Sequence, residues 1–418
     1  MKFEDYHFHP DLLKGILKLG LRRPTDIQYK SIPPILRGED VLAVAQTGTG
    51  KTAAFAIPIL QQLHLEKKKR GRRPEGVRCL VMVPTHELAL QVADVFDDLG
   101  DNTAVKTLAL IGGVEQEPQI KALNKGIDVL VATPGRLFDL ISQGHLSVRR
   151  VTTLVLDEAD HMLDLGFIND IRDLSRKLPT RRQTLFFSAT INNHIKKLAY
   201  SLIHRDAIRI QISPKDPVSK NVDHGLAFVE MDDKRFVLER LAKEYPDSKI
   251  LVFVRTKVRA ERVRKAMERV SLSALSIHGD MEQDDRNAAL DQFREGRVKM
   301  LIATDVSARG IDIPDVEYVI NYDLPEQAPN YVHRVGRTGR GRKRGQAISL
   351  CSKSERPLLQ EIEAYLGKEI TRLELSRGTI EETKLLSDEH PEKLKDLLEE
   401  IEKLEEEKRK KGKRGKKS

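Results

Sequence analysis

A chain of 418 residues with a formal net charge of +9 is long enough for two α/β domains and a tail. Its two cysteines, Cys79 and Cys351, lie in apolar strand-like runs, which argues against a disulfide framework or a zinc site and for a reducing compartment. Charged residues in Met1-Lys2-Phe3-Glu4-Asp5 replace the apolar block of a secretory signal, and no run of 18 apolar residues follows. The expectation is a soluble, cytoplasmic protein with no membrane partner.

Residues 408–417 supply eight Lys/Arg and no acid, leaving the rest of the chain near neutral. Attraction to a polyanion is therefore confined to local patches, chiefly this tail and Lys67-Lys68-Lys69-Arg70-Gly71-Arg72-Arg73, which also reads as a solvated loop.

Residues 1–39 read as helical segments with a turn at Pro24. The Gln28 amide offers the donor and acceptor that reading the edge of adenine requires, although a surface amide is the plainer reading. Next, Val41-Leu42-Ala43-Val44 predicts a strand, Ala45-Gln46-Thr47-Gly48-Thr49-Gly50-Lys51-Thr52 a loop, and Ala53-Ala54-Phe55-Ala56-Ile57 a helix start. Small residues in such a loop let N–H groups converge on phosphate oxygens. Lys51 then reaches the terminal phosphates, and the Thr52 hydroxyl can hold Mg²⁺. A Gly/Thr-rich surface turn is the competing reading, disfavoured by the order strand, loop, helix. Ala45 stands where the first glycine of such loops often stands, which strand-like dihedrals would tolerate.

Beyond this cradle, apolar runs at 79–83, 106–111, 128–132, 153–156 and 184–187 alternate with amphipathic stretches, predicting a parallel sheet with helices on both faces. Functional residues then belong at the strands' C-terminal ends. Pro84-Thr85-His86-Glu87, Gly112-Gly113, Thr133-Pro134-Gly135-Arg136, Asp157-Glu158-Ala159-Asp160 and Ser188-Ala189-Thr190 each end such a run. An acid directly after Leu154-Val155-Leu156 calls for a cation, so Asp157 fits Mg²⁺ coordination opposite Thr52, and Glu158 would orient or deprotonate a water. Acids decorating a helix N-terminus are the bland alternative.

The polar, proline-bearing segment 213–220 predicts a linker between a first domain at 1–212 and a second at 221–371. The second series has strand candidates at 226–229, 250–254, 273–277, 300–303, 318–321 and 346–351 and no second cradle, as if it closes over a nucleotide held by the first. In Tyr331-Val332-His333-Arg334-Val335-Gly336-Arg337-Thr338-Gly339-Arg340, three arginines at three-residue spacing can project into a cleft. Guanidinium groups supplied to a phosphoryl-transfer site from outside are worth on the order of 10³ to 10⁵ in rate. A basic nucleic-acid loop is the other reading.

Together these strings resemble the DEAD-box RNA helicase family from Phe3 to roughly Ile370, most closely its bacterial RhlE type. The resemblance implies two tandem RecA-like domains with parallel sheets flanked by helices, binding ATP and Mg²⁺ in the cleft and single-stranded RNA across both. On it, Phe3, Thr25 and Gln28 match the adenine-recognising motif, and Thr47, Gly48, Thr49, Gly50, Lys51 and Thr52 the phosphate and Mg²⁺ loop. Asp157 matches the Mg²⁺ ligand and Glu158 the catalytic base. Asp160, Ser188, Thr190 and His333 match the residues coupling hydrolysis to unwinding, Asp312 a nucleotide-sugar contact, and Arg337 and Arg340 the arginine fingers. RNA contacts fall on Pro84, Thr85, Gly113, Thr133, Gly135 and Arg136, and in the second domain on Arg255, Gly279, Gln283, Arg286, Thr304, Asp305 and Gly310.

Two positions depart from the pattern. His86 replaces an arginine, so a permanent cation on the RNA path becomes a titratable one, and Leu21 replaces an aromatic. Contacts to phosphate and 2′-OH groups imply little sequence preference and RNA over DNA.

Residues 372–418 form the predicted extension. Leu394, Leu397, Leu398, Ile401 and Leu404 recur at helical spacing, and the basic tail would hold RNA by charge alone. The expected function is an RNA-stimulated ATPase, acting as a monomer, that opens short duplexes or displaces bound proteins from RNA. An ATP-gated RNA clamp is the alternative.

Overall fold

The structure, a computed structural model, describes residues 1–46, 48–70, 76–212, 217–308, 316–339 and 344–374. Thr47, Gly310, Asp312, Arg340, the first half of the linker (213–216), the end of the internal basic run (71–73) and the C-terminal extension from 375 onward lie outside the described residues.

Two seven-stranded, wholly parallel sheets form the two lobes. The first contains β1 (Val41–Ala45), β2 (Cys79–Met82), β3 (Thr107–Leu110), β4 (Val129–Ala132), β5 (Thr153–Leu156), β6 (Gln183–Ser188) and β7 (Ile208–Ile212), in the order β3-β4-β2-β5-β6-β1-β7. The second contains β8 (Val222–Phe228), β9 (Ile250–Phe253), β10 (Ala274–Ile277), β11 (Met300–Ala303), β12 (Tyr318–Asn321), β13 (Gly345–Cys351) and β14 (Thr371–Arg372), in the order β10-β11-β9-β12-β13-β8-β14. The two orders are the same pattern, strand for strand.

Near-continuous apolar strands follow from burial on both faces. Val41, Ala43, Cys79 and Val81 enter one core of the first lobe, while Leu42, Leu80 and Met82 enter the other. In the second lobe Leu251 and Phe253 face one core, and Ile250, Val252 and Val254 the other. Both cysteines are buried and unoxidised. No helix among the described residues is long and apolar enough to cross a membrane.

Three expectations shift at the edges. Val218 is buried in a second-lobe core, so the end of the predicted linker is already domain. Arg372 belongs to β14, and Leu373 N–H donates to Leu226 O at 2.7 Å, so the second lobe continues past 371. Phe3, expected at the nucleotide, is fully buried beside Tyr6 in the first-lobe core, where its ring anchors the N-terminal segment and keeps no exposed surface for a base. Leu21 packs against the same core.

The Pro10–Lys18 helix crosses the His86–Gly100 helix at Gly15, where a Cβ would lie 2.2 Å from Leu99 O. Backbone on both sides cannot yield cheaply. Gly15→Ala is expected to lower the stability of the first lobe by about 1–3 kcal/mol despite the better helix former, measured by urea unfolding.

His9, Asp11 and His64 cluster next to this crossing with a metal-like composition. His64 Nδ1 accepts from Ala104 N–H at 3.1 Å, which leaves the proton on Nε2, 3.3 Å from Asp11, and Lys68 Nζ lies 3.4 Å from the same carboxylate. With its lone pair occupied and an ammonium beside it, His64 ties helices together rather than ligating a metal. Burial holds the His64 pKa below the ordinary histidine value. The unfolded chain then binds a proton that the folded chain resists, so stability is full above that ordinary value and falls as pH drops through it. His64→Gln is expected to flatten the loss of urea midpoint between about pH 7 and pH 5.5.

Candidate active site and nucleic-acid groove

Sheet order sorts the expected site residues into two groups. Strands β1, β5 and β6 are the inner neighbours at whose C-terminal ends Lys51, Asp157 and Ser188 emerge. The adjoining trio β3, β4 and β2 carries Gly113, Thr133, Gly135, Arg136, Pro84 and Thr85, and the corresponding trio β10, β11 and β9 of the second lobe carries Gly279, Thr304, Asp305 and Arg255. One half of each sheet thus serves the cleft and the other a groove along its flank.

In the cleft, the loop after β1 has positive φ at Gly48 (+78°) and Gly50 (+88°). At Gly50 the positive φ is what requires glycine, and a Cβ there would also displace Gln28 Nε2, 2.5 Å away. Thr25 Oγ1 donates to Thr49 O at 2.8 Å and Gln28 Nε2 to Gly50 O at 3.1 Å, while Gln28 Oε1 accepts from Thr25 N–H at 2.9 Å. The Gln28 amide, 3% exposed, therefore braces the loop and keeps one N–H and one lone pair for a base. Thr49 Oγ1 bonds Gln46 O at 2.7 Å, and Gln46 itself donates to Pro217 O of the connecting segment.

Lys51 opens the Lys51–Arg70 helix, with Thr52 half-buried behind it. Lys51 is 7% exposed, yet its Nζ has no hydrogen-bond partner among the described residues. An ammonium left so is costly unless an anion completes it. Asp157, 2% exposed, accepts among the described residues only from Glu158 N–H, at 3.0 Å. Burial pushes its pKa up to about 6 against the pull of Lys51. These two buried, under-satisfied groups fit a phosphate chain with a divalent cation.

Glu158 has left-handed backbone, φ 50° and ψ 48°, rare for a non-glycine residue. Burial alone would raise its pKa, but His161 at 3.4 Å, Lys51 and Arg337 together hold it down to about 2. The last of these comes from the other lobe. Arg337 follows the Ala328–Val335 helix, is 7% exposed, and donates Nε to His333 O at 3.3 Å.

Arg334 does not project into the cleft as its spacing suggested. It is buried in the second lobe, with Nε and Nη2 on Asp305 at 2.5 and 2.7 Å and its guanidinium over Phe253. Asp305, expected to contact RNA, is accordingly an internal counterion. The third arginine of the string, Arg340, lies outside the described residues.

The coupling residues meet one another. Thr190 donates from both N–H and Oγ1 to Asp160 Oδ2 at 2.9 Å, and Ser188 Oγ donates to Thr190 O at 2.7 Å. Asp160, Thr190 and His333 line a cavity of about 330 Å³ between the lobes.

Along the flank, Thr85 caps the helix that His86 begins, Gly135 and Gly279 are open to solvent, and Thr304 bonds Ser307 Oγ at 2.9 Å. Arg136 donates Nη2 to Val114 O at 2.7 Å, leaving Nη1 without a partner. Arg255 Nη2 lies 3.3 Å from Glu355. Gln283 and Arg286 instead face the first lobe: Gln283 bonds His86 and Glu87, and Arg286 Nε lies 2.8 Å from Glu87.

The missing second cradle has a physical counterpart. Lys234 opens the helix after β8, the strand in the same sheet position as β1, but it is 0% exposed with Nζ 2.5 Å from Glu355 and 3.7 Å from Asp323. Carboxylates fill the place where phosphate would be. His161 and Lys234 carried no signal in the sequence, and Glu87 stood only as the end of a strand-end string, because each acts through a partner that only folding supplies.

Residues 25–198 match the family model described as DEAD/DEAH box helicase, and residues 233–342 the one described as Helicase conserved C-terminal domain. The DEAD-box ATP-dependent RNA helicase RhpA of Helicobacter pylori (strain B128) is 36% identical over 394 residues, covering 94% of this chain and 78% of the relative. S. cerevisiae Dbp5 bound to RNA and ADP BeF3 has a TM-score of 0.79 at 32% identity, covering 89% of this chain and 95% of that one. The DEAD box protein of the hyperthermophile Methanococcus jannaschii is more identical, 36%, and covers 90% of this chain and 99% of its own, yet its TM-score is 0.51. The TM-score is thus higher against the chain bound to RNA and ADP BeF3 than against the more identical one.

Proposed function

The chain belongs to the DEAD/DEAH box helicase family, and from that premise we propose that it is an ATP-dependent RNA helicase whose RNA-stimulated ATPase drives two lobes to close on single-stranded RNA. Within the family our reading is the RhlE type, from the run of its core, acting in the cytoplasm, as a monomer, on short duplexes or ribonucleoprotein.

One observation carries the reading: the partnerless Lys51 ammonium lies among Asp157 and Glu158 on one lobe, within the field of Arg337 from the other. The loop N–H groups and Lys51 bind the phosphates, while Thr25 and Gln28 hold the loop in shape and the free Gln28 functions meet adenine. Thr52 and Asp157 would hold Mg²⁺, which supplies charge neutralisation on the phosphates when bound. Glu158 orients the attacking water and takes its proton, and Arg337, with Arg340, stabilises negative charge in the transition state. Thr85, Gly113, Thr133, Gly135 and Arg136 bind the RNA backbone from one lobe, and Arg255, Gly279 and Thr304 from the other. A groove that reads backbone shape takes RNA without regard to sequence. Asp160 and Thr190, facing His333, transmit closure between cleft and groove.

ATP hydrolysis by the full chain, measured with no nucleic acid, with oligouridylate and with the matching oligodeoxynucleotide, tests this. Stimulation by the ribo-oligomer alone is expected, together with ATP-dependent separation of a short RNA duplex. A rate indifferent to RNA overturns the reading.

A further inference from the structure

Away from the nucleotide cleft the described residues of the two lobes meet at a compact polar contact. His86 opens the His86–Gly100 helix and Gln283 opens the Gln283–Arg294 helix of the other lobe, with His86 Nδ1 3.0 Å from Gln283 Oε1. The amide is oriented from its far end. Gln283 Nε2 donates to Glu87 Oε1 at 3.2 Å and to Asn287 Oδ1 at 3.0 Å, both acceptors, so Oε1 must face the ring and the ring must donate from Nδ1. Glu87, 4% exposed, is also the ion-pair partner of Arg286, whose Nε lies 2.8 Å from its carboxylate.

Glycines shape the other wall. A Cβ on Gly112 would lie 3.5 Å from His86 Nε2, and one on Gly113, where φ is +70°, 3.2 Å from Gln283 Cβ. Gly113 is thus where the lobes come close enough for a side chain to separate them.

We propose that His86 is a positioning residue for lobe closure: its Nδ1–H fixes the Gln283 amide against Glu87, so that ring, amide and the Glu87–Arg286 pair form a latch made only when the lobes meet. His86 then favours closure without itself holding the RNA backbone, and the sequence expectation of a cation on the RNA path is replaced by a cross-lobe hydrogen bond. The inference rests on the reading that closure on RNA drives hydrolysis.

A double-mutant cycle on the full chain tests it, with His86→Ala, Gln283→Ala and the pair, read as the oligouridylate concentration for half-maximal ATPase and as energy transfer between dyes on the two lobes. His86→Ala is expected to raise that concentration about three- to tenfold, as removal of one hydrogen bond implies, and to lower the closed fraction at limiting RNA. The rate at saturating RNA stays near that of the unmodified protein. In the Gln283→Ala background the same substitution adds nothing. His86→Asn, whose amide N–H can replace Nδ1–H, restores the unmodified behaviour and rules out a folding defect.

The salt dependence of RNA affinity separates the two roles. A latch leaves its slope unchanged, whereas a His86 that binds phosphate directly would, when removed, reduce the slope by about one. Additive effects of the two substitutions, or a reduced slope, overturn the proposal. If the unmodified protein shows no RNA stimulation, it is the functional reading that fails, and the cycle is not what decides it.

Discussion

Substituting Glu158 by glutamine is expected to lower the RNA-stimulated turnover by on the order of 10²- to 10⁴-fold while ATP and RNA stay bound. The carboxylate is ionised far below neutrality because His161, Lys51 and Arg337 outweigh its burial. A triphosphate arriving at Lys51 brings negative charge that offsets this pull, so the same group becomes more basic when a water must be deprotonated. Glutamine keeps the shape and removes the proton acceptor. The left-handed backbone at Glu158 holds a strain of about 1–3 kcal/mol that glutamine inherits unchanged, so thermal stability should move little. Hydrolysis blocked after closure leaves the protein clamped: fluorescence anisotropy should show slower release of labelled oligouridylate in ATP than for the unmodified protein. Turnover within about threefold of normal would remove Glu158 from the chemistry.

The parts legible in the sequence were those whose signal is local. Strands β5, β11 and β12 begin and end where their apolar runs do, because both faces of each are buried. Strand β7 gives no such run, since it lies at a sheet edge and alternates buried Ile210 with exposed Arg209 and Gln211. Strand β14, two residues long, has no pattern to read. The cradle was legible for the same reason as the inner strands: Gly48, Gly50 and Lys51 must be neighbours in the chain to work.

What stayed hidden was pairing at a distance. Arginines 334, 337 and 340 are equivalent by spacing, but Arg334 turns inward to Asp305, 29 residues away, and only the fold separates it from Arg337. Lys234 neutralised by Glu355, and Glu87 facing Arg286, are likewise charges whose meaning depends on a partner elsewhere. Phe3 shows the converse error, an aromatic assigned to a ligand by motif when the core claims its whole surface.

Arg337→Ala should reduce RNA-stimulated hydrolysis by on the order of 10³- to 10⁵-fold, the range for a guanidinium supplied to a phosphoryl-transfer site from outside the cradle. Every described loop and side chain that would bind the nucleotide's phosphates before closure belongs to the first lobe, so ATP affinity without RNA should change little. The loss would fall on the rate at saturation rather than on the concentration of ATP required. Arg337 sits at the far end of the Ala328–Val335 helix, held by His333 O, and its charge reaches Glu158 from the other lobe. Lysine is not expected to replace it, since a point charge on a flexible stem lacks the planar fork that spans two phosphate oxygens. Stopped-flow binding of a fluorescent ATP analogue alongside steady-state ATPase separates the outcomes: unchanged binding with lost turnover places Arg337 in the transition state, while intact turnover in both variants would mean that the second lobe contributes shape alone and that the cleft completes its chemistry without it.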